Sequence, residues 1–421
     1  MNRWLCTAVL AWAALLGGCG GGGPDEDGGV AAATPSATDL QRSSALAAGS
    51  ADAGSSLVAQ GRRIFRYDTF GDEAKWTDTL RLHEVVQAAV DPATALAVGL
   101  KVDADALPQG LKNAIAAGRV DLRSPQTTLK LLQLDAVVGL KGQVENVGGV
   151  LQLKRLGVTC ALCHSTVDNG FAKGIGKRLD GWPNRDLNVG AIVALSPALT
   201  AAQKAVFNSW GPGKYDPRFN IDGLNKPVVI PPAYGLAGIH SITYTGDGDS
   251  IAYWNRYVAV TQMGGQGSFS DPRLPLSITN GTVDLVSGKL PALQAYQLSL
   301  AAPPAPAGSF DALAAARGQQ LFAGKAQCAT CHSGPQFTDA NLRLHPPLDS
   351  MAEPESPSYA ARSATGLYRT SPLKGAWQHA PYFHDGSAPT LDAVVDTYNR
   401  KRGLGLSPQE VGDLGQYLRS L

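Results

Sequence analysis

The chain has 421 residues, of which 36 are lysine or arginine and 35 aspartate or glutamate, giving a formal net charge of +1 at pH 7. That length leaves room for two ordinary domains with a sizeable core. The balanced charge lacks the basic excess that accompanies nucleic-acid binding, so no nucleic-acid partner is expected. Glycine (48) and proline (27) are plentiful while aromatics make up 7%, which predicts long loops and a core that a cofactor helps to fill.

Residues 1–18 read as an export signal. "MNRWLCTAVLAWAALLGGC" has a basic Arg3 and an apolar run from Trp4 to Leu16 that is too short to span a bilayer. Its end resembles a bacterial lipobox, with Leu16 and two glycines ahead of Cys19. That resemblance implies cleavage before Cys19 and lipidation of it, with enough acyl chains for stable anchoring. Gly20, rather than aspartate, implies the outer membrane. The expectation is a periplasm-facing protein that touches the membrane through a lipid anchor only; plain secretion with cleavage elsewhere is the alternative. Residues 19–58, rich in glycine, alanine and serine, predict a flexible tether with a reach of about 35 Å.

Residues 59–150 predict a mostly helical segment packed on the domain after it. The segment opens on "GRRIFRYDTFGDEAKWTDTLRLHEVVQAAV", whose start is similar to the helix that precedes a haem site. Residues 151–308 and 309–421 predict two further domains, each with one CxxCH unit. In the second, Ser309 is a candidate N-cap for the helix "FDALAAARGQQLF". Ser407-Pro408-Gln409-Glu410 reads as a capping box with proline at the first helical position. Val411, Leu414, Leu418 and Leu421 then share one helical face. "PPAYGLAGIHSITYTGDGD" can be laid against "SPLKGAWQHAPYFHDGS", which suggests a duplicated domain.

The cysteines decide the chemistry. Cys6 leaves with the signal and Cys19 takes lipid, so the remaining Cys160, Cys163, Cys328 and Cys331 all belong to the two CxxCH units. Four zinc ligands would have to come from pairs far apart in the chain, and the histidine after each pair would be idle. A thioredoxin-like setting for a redox CxxC is missing. Two covalent haem c groups account for every residue: each cysteine adds to one vinyl group, and the adjacent histidine, His164 or His332, binds iron.

Around "GLYRTSPLKGAWQHAPYFHDGSAPTLDAVVDTYNR" the chain resembles the di-haem cytochrome c peroxidase and MauG superfamily. The resemblance implies a mainly α fold of two cytochrome c-like haem domains packed together, here with an N-terminal helical insertion and long loops. It implies His164 and His332 as proximal ligands, and a sixth ligand of the second haem at Tyr398. Met351, His345 and His384 are rivals for that position, and core packing is an alternative role for Tyr398. A calcium ion (Ca2+) between the domains, held by backbone carbonyls that leave no sequence mark, is a further implication. So is an electron donor, either a redox partner protein or a quinol-linked one.

Two departures bear on activity. Where family peroxidases place a proton-carrying glutamate before a methionine-glycine, this chain has Gln262 ahead of Met263, and an amide cannot carry the proton. The tryptophan expected before Asp-Gly is replaced by Gly246; Trp254 or Trp210 could fill that space. For the first haem, His240 and Met263 are the available sixth ligands, and an open position is the alternative. Four functions stay open: electron transfer with redox chemistry at the first haem, peroxide reduction, oxygen activation on an organic substrate as in rubber-cleaving di-haem oxygenases, and electron carriage with both irons six-coordinate. Whether the chain is an enzyme, an oxidoreductase on the leading view, turns on Gln262.

Overall fold

The computed structural model describes residues 54–421 apart from 353–355. The export signal, Cys19 and the tether up to residue 53 lie outside the described residues. No helix among them is long and apolar enough to cross a membrane.

The fold is mainly helical, with five two-stranded sheets among the described residues. Helices occupy residues 54–67, Leu82–Ala89, Pro92–Ala97, Gln109–Ala116 and Pro125–Gln133. After these the expectation of helix fails. Leu140–Val147 and Val150–Val158 form an antiparallel hairpin across the expected boundary at 150/151. Gly148 and Gly149, at φ 61° and 89°, make its turn. A Gly-Gly pair between β-branched residues favours such a turn, because both positions need positive φ. The second strand buries Leu153, Leu156 and Val158 and runs directly into Cys160.

One hydrophobic core joins Ile64, Phe65, Leu129, Leu132 and Val158 to Leu293 and Tyr296. The 59–150 segment therefore shares its core with the region of the first cysteine pair. A second, separate core holds Phe322, Val395, Val411, Leu414, Tyr417 and Leu418.

Each core contains a tight helix crossing. In the second, Ala312–Ala323 crosses Pro408–Ser420. A Cβ on Gly318 would stand 2.1 Å from the Asp413 carbonyl oxygen, so only glycine allows this approach. Phe322 meets Tyr417 edge-on at 5.2 Å. The capping box forms as the sequence predicts, Ser407 and Glu410 exchanging hydrogen bonds with each other's backbone. The start of Ala312–Ala323 differs from expectation. Asp311, not Ser309, is its N-cap, accepting from Leu313 and Ala314 N–H, while the Ser309 hydroxyl donates to Pro306. Ser309 stands too early in the chain to reach the helix's free N–H groups, and the carboxylate of Asp311 is an equally favoured cap.

Between residues 300 and 312 the chain passes from one core to the other without regular structure. Arg362 ties the two sides together. Its guanidinium donates to Asp216 at 3.0 and 3.1 Å, to Asp222 at 2.6 and 2.8 Å and to the Leu224 carbonyl at 2.9 Å.

Candidate haem sites

The first site begins where the hairpin ends. Thr159 N–H donates to Gly139 and its hydroxyl to Arg66, both carbonyls, which fixes the strand's exit. Cys160 then caps a single helical turn, Ala161–His164. That turn sets the two thiols and the imidazole on consecutive corners. At the second site a 3-10 turn, Cys328–Thr330, does the same, and His332 N–H bonds back to the Cys328 carbonyl at 2.9 Å.

All four cysteines are free and half-buried. Burial pushes Cys160 and Cys163 up to about 12 and Cys328 to about 11, which disfavours the thiolate at these positions. The two pairs do not gather into a tetrahedral set. Among the described residues, the one convergent group of potential metal ligands is Cys331, Asp339 and His345. There Asp339 already bridges Arg343 at 2.6 Å and His345 at 3.1 Å.

The histidines carry the clearest signal. His164 Nδ1 lies 3.1 Å from the Pro231 carbonyl, and His332 Nδ1 lies 3.1 Å from that of Phe337. A carbonyl can only accept, so Nδ1 holds the hydrogen in both rings and Nε2 keeps its lone pair for a metal. Burial lowers His164 to about 4 and shifts His332 in the same direction. Both rings are therefore neutral at neutral pH, the form that binds iron.

Tyr398 sits on the helix Leu391–Arg402. Burial pushes its phenol up to about 12, with the Cys328 and Cys331 thiols close enough to add to the shift. The structure thus brings Tyr398 to the second cysteine pair. The two histidine rivals have other partners, whereas among the described residues no hydrogen bond engages the Met351 sulfur. His345 Nε2 faces Asp339, and His384 is packed between aromatic rings, 5.6 Å from Tyr359 and 5.0 Å from Tyr368. Met351 is buried and its carbonyl accepts from Lys401.

Gln262 lies in a π-helical turn, Val258–Met263, a distortion that is common at functional sites. Its Oε1 accepts from the Tyr215 hydroxyl and its Nε2 donates to Thr261 at 2.9 Å. Tyr215 in turn feels the Cys163 thiol, which connects Gln262 to the first cysteine pair. Lys75, from a second π-helical turn, Ala74–Thr79, donates to the Gln262 carbonyl. Met263 is buried in the core, and His240 is exposed, its N–H donating to Asn341. Trp210 belongs to an aromatic cluster with Phe207, Phe219 and Tyr215 and donates to Asn225 at 2.8 Å. Trp254 stacks on Tyr257 at 4.7 Å. Sequence reasoning missed Tyr215 and Lys75, since neither lies in a motif.

These residues fit haem c. Besides the thiols and imidazoles, several buried nitrogens have no hydrogen-bond partner: Nε and Nη1 of Arg185, Nε of Arg369 and both ring nitrogens of His379. A porphyrin with two carboxylates is an apolar disc with the anions such nitrogens need.

A family model described as RoxA-like, cytochrome c-like, matches residues 366–403, the stretch that carries His384 and Tyr398. Cytochrome-c peroxidase IdrP2 of Pseudomonas sp. (strain SCT) is 34% identical over 125 residues, 22% of this chain and 34% of that protein. Methylamine utilization protein MauG of Methylorubrum extorquens is 37% identical over 87 residues, 20% of this chain and 24% of its own. The homologues of this chain are cytochrome c peroxidases and MauG. A third, cytochrome-c peroxidase IdrP1 of Denitromonas iodatirespirans, is 30% identical over 149 residues, 25% of this chain and 40% of its own. The chain spans about a third of the length of the curated relatives it matches. Among solved structures, a MauG-like protein associated with microbial copper homeostasis aligns with 48% of this chain and 75% of its own, at 21% identity and a TM-score of 0.32.

Proposed function

We propose that this protein is an exported, lipid-anchored c-type cytochrome with two covalent haems and oxidoreductase activity, built as two cytochrome c-like domains packed together. The observation that carries this reading is the matched pair of histidines, His164 and His332, each following two thiols and each with Nδ1 committed to a backbone carbonyl. The first haem would be held by Cys160, Cys163 and His164, the second by Cys328, Cys331, His332 and Tyr398. Bound there, haem c supplies one-electron redox chemistry and an iron able to take up peroxide or oxygen.

The chain's own residues divide the work. At the second site Tyr398 offers a phenol oxygen that, on losing its proton to bind, would be a hard anionic ligand favouring ferric iron. In the first domain the corresponding position of the Trp-Asn-Arg and Tyr-Asn-Arg stretches is Trp254. An indole has no lone pair to offer a metal, which supports an open position at the first iron. Gln262 can hydrogen-bond an oxygen species but cannot move its proton; the Tyr215 hydroxyl bonds its side chain and the Lys75 amine its backbone carbonyl. The first haem would thus be the reactive one and the second an electron store, fed by a redox partner protein or a quinol-linked donor from the periplasmic side of the outer membrane. Because an amide replaces the peroxidase glutamate, oxygen chemistry on an organic substrate is the second reading. A calcium ion between the domains belongs to the same proposal.

The test is a pyridine haemochrome assay of the exported protein, followed by ferric EPR before and after peroxide. Two covalent haems, one high-spin and altered by peroxide, are expected. Two low-spin haems indifferent to peroxide would leave a pure electron carrier.

A further inference from the structure

Arg185 follows Asn184, whose N–H donates to the Cys163 carbonyl at 2.9 Å. The Arg185 charge reaches His164 on one side and, on the other, His379 and Tyr382 from the second half of the chain. The other buried arginines show what this one lacks. Arg218 pairs with Asp247, and Arg362 with Asp216 and Asp222. Asp222 and Asp216 raise the Arg362 pKa, and Tyr359 followed by Asp247 raises that of Arg218. Burial instead lowers Arg185, and lowers Arg369 to about 10; both keep buried N–H groups without acceptors, as Arg218 does at Nη1, but neither has a carboxylate partner among the described residues.

The neighbouring phenols fill the gap only in part: the Tyr244 oxygen shares a hydrogen bond with Arg185, while Nε and Nη1 of Arg185 still lack acceptors. Tyr234 donates to the Gly375 carbonyl at 2.9 Å, Tyr382 to that of Ala376 at 2.8 Å, and Tyr244 to that of Val229 at 3.2 Å. Buried guanidinium N–H groups without a counter-ion are costly, and the planar fork of a half-buried Arg185 matches a carboxylate with two parallel hydrogen bonds. We propose that Arg185 seats the propionate carboxylates of the haem carried by Cys160, Cys163 and His164, with Arg369 and His379 walling the seat, and so sets that haem's potential. The proposal rests on the two-haem reading above. Arg185 is a positioning residue: a cation there favours the reduced iron, which carries one positive charge fewer.

The experiment is a spectroelectrochemical titration of the full, haem-loaded protein as wild type, R185L and R185K, with haem counted by pyridine haemochrome. R185L should keep two haems, while the one-electron equilibrium of the first haem shifts about tenfold toward the oxidised form, a fall of about 59 mV. R185K should recover most of it. Repeating the titration in a C328S/C331S background, which retains only the first attachment site, assigns the shift. R185L with two haems and unmoved potentials would overturn the seat, and so would a fall confined to the second haem. If R185L does not fold, R185Q replaces it and is read the same way. A wild-type protein without covalent haem would overturn the functional reading itself, and the seat with it.

Discussion

The helix of residues 54–67 packs on Leu290–Ser299, where a Cβ on Gly61 would stand 1.9 Å from the Ala292 carbonyl oxygen and Phe65 meets Tyr296 edge-on at 5.5 Å. Ala312–Ala323 packs on Pro408–Ser420 with Gly318 under the Asp413 carbonyl and Phe322 edge-on to Tyr417. In both, glycine precedes phenylalanine by four residues, and the residue under the glycine precedes tyrosine by four. Even the asparagines repeat: Asn255 Nδ2 donates to Gln297 and Asn399 Nδ2 to the Leu406 carbonyl, each anchoring its helix beside the last one. The two halves part company elsewhere. Cys328 follows its leading helix almost at once, whereas Cys160 is reached only after four helices and a hairpin. Beside the asparagines stand Trp254 in one half and Tyr398 in the other. The lesson is that the two halves share one helix-crossing frame, while the residues at matching positions beside it, Trp254 and Tyr398, differ in chemistry.

The largest test of that comparison removes one grip at a time. C160S/C163S and C328S/C331S should each halve the haem content by pyridine haemochrome; a variant that keeps both haems would show that the thiols do other work. Next is the difference between Trp254 and Tyr398. Y398F should alter the ferric spectrum of the second haem and raise its midpoint potential, since a hard anionic ligand is lost, while leaving the first haem unchanged. W254Y should give the first haem a phenolate-like spectrum, and an unaltered spectrum would mean that the two positions do not correspond. Smaller is the effect on the shared joint. G61A and G318A overpack a backbone contact and should each lose about 1–3 kcal/mol in guanidinium unfolding; a loss in only one would break the equivalence.

The smallest effect is a pH dependence confined to the first half. Burial lowers Lys75 from its ordinary 10.5 to about 8. Between those values the unfolded chain binds a proton that the folded chain does not, so stability rises with pH across that window. Below it, the cost of burying the charged amine is fully present. Relative to K75M, the wild-type unfolding midpoint should climb from about pH 8 to about pH 10.5; a flat difference would place Lys75 in solvent.

What the sequence made legible was local. The CxxCH units, the capping box at Ser407 and the apolar face of the last helix all depend on residues within a few positions of one another. The hairpin was missed because its strands alternate only weakly between buried and exposed residues, and its Gly-Gly turn sits inside a run otherwise read as helix. The joint between Gly61 and Ala292, the Tyr215–Gln262 pair and the reach of Arg185 toward His379 were out of view because they are long-range. Lys75 and Gln262 are 187 residues apart, and nothing in either segment's periodicity announces the other. Tyr398 was found through resemblance, not spacing; its approach to the second cysteine pair needed the fold.

Arg362 also bears on how the protein would age. Its bonds to Asp216, Asp222 and Leu224 span the two halves independently of the irregular stretch between residues 300 and 312. A protease that nicked this stretch would leave two fragments that still migrate together under native conditions and part only in denaturant. Each would keep one CxxCH unit, so an intact-looking preparation can hide a broken chain.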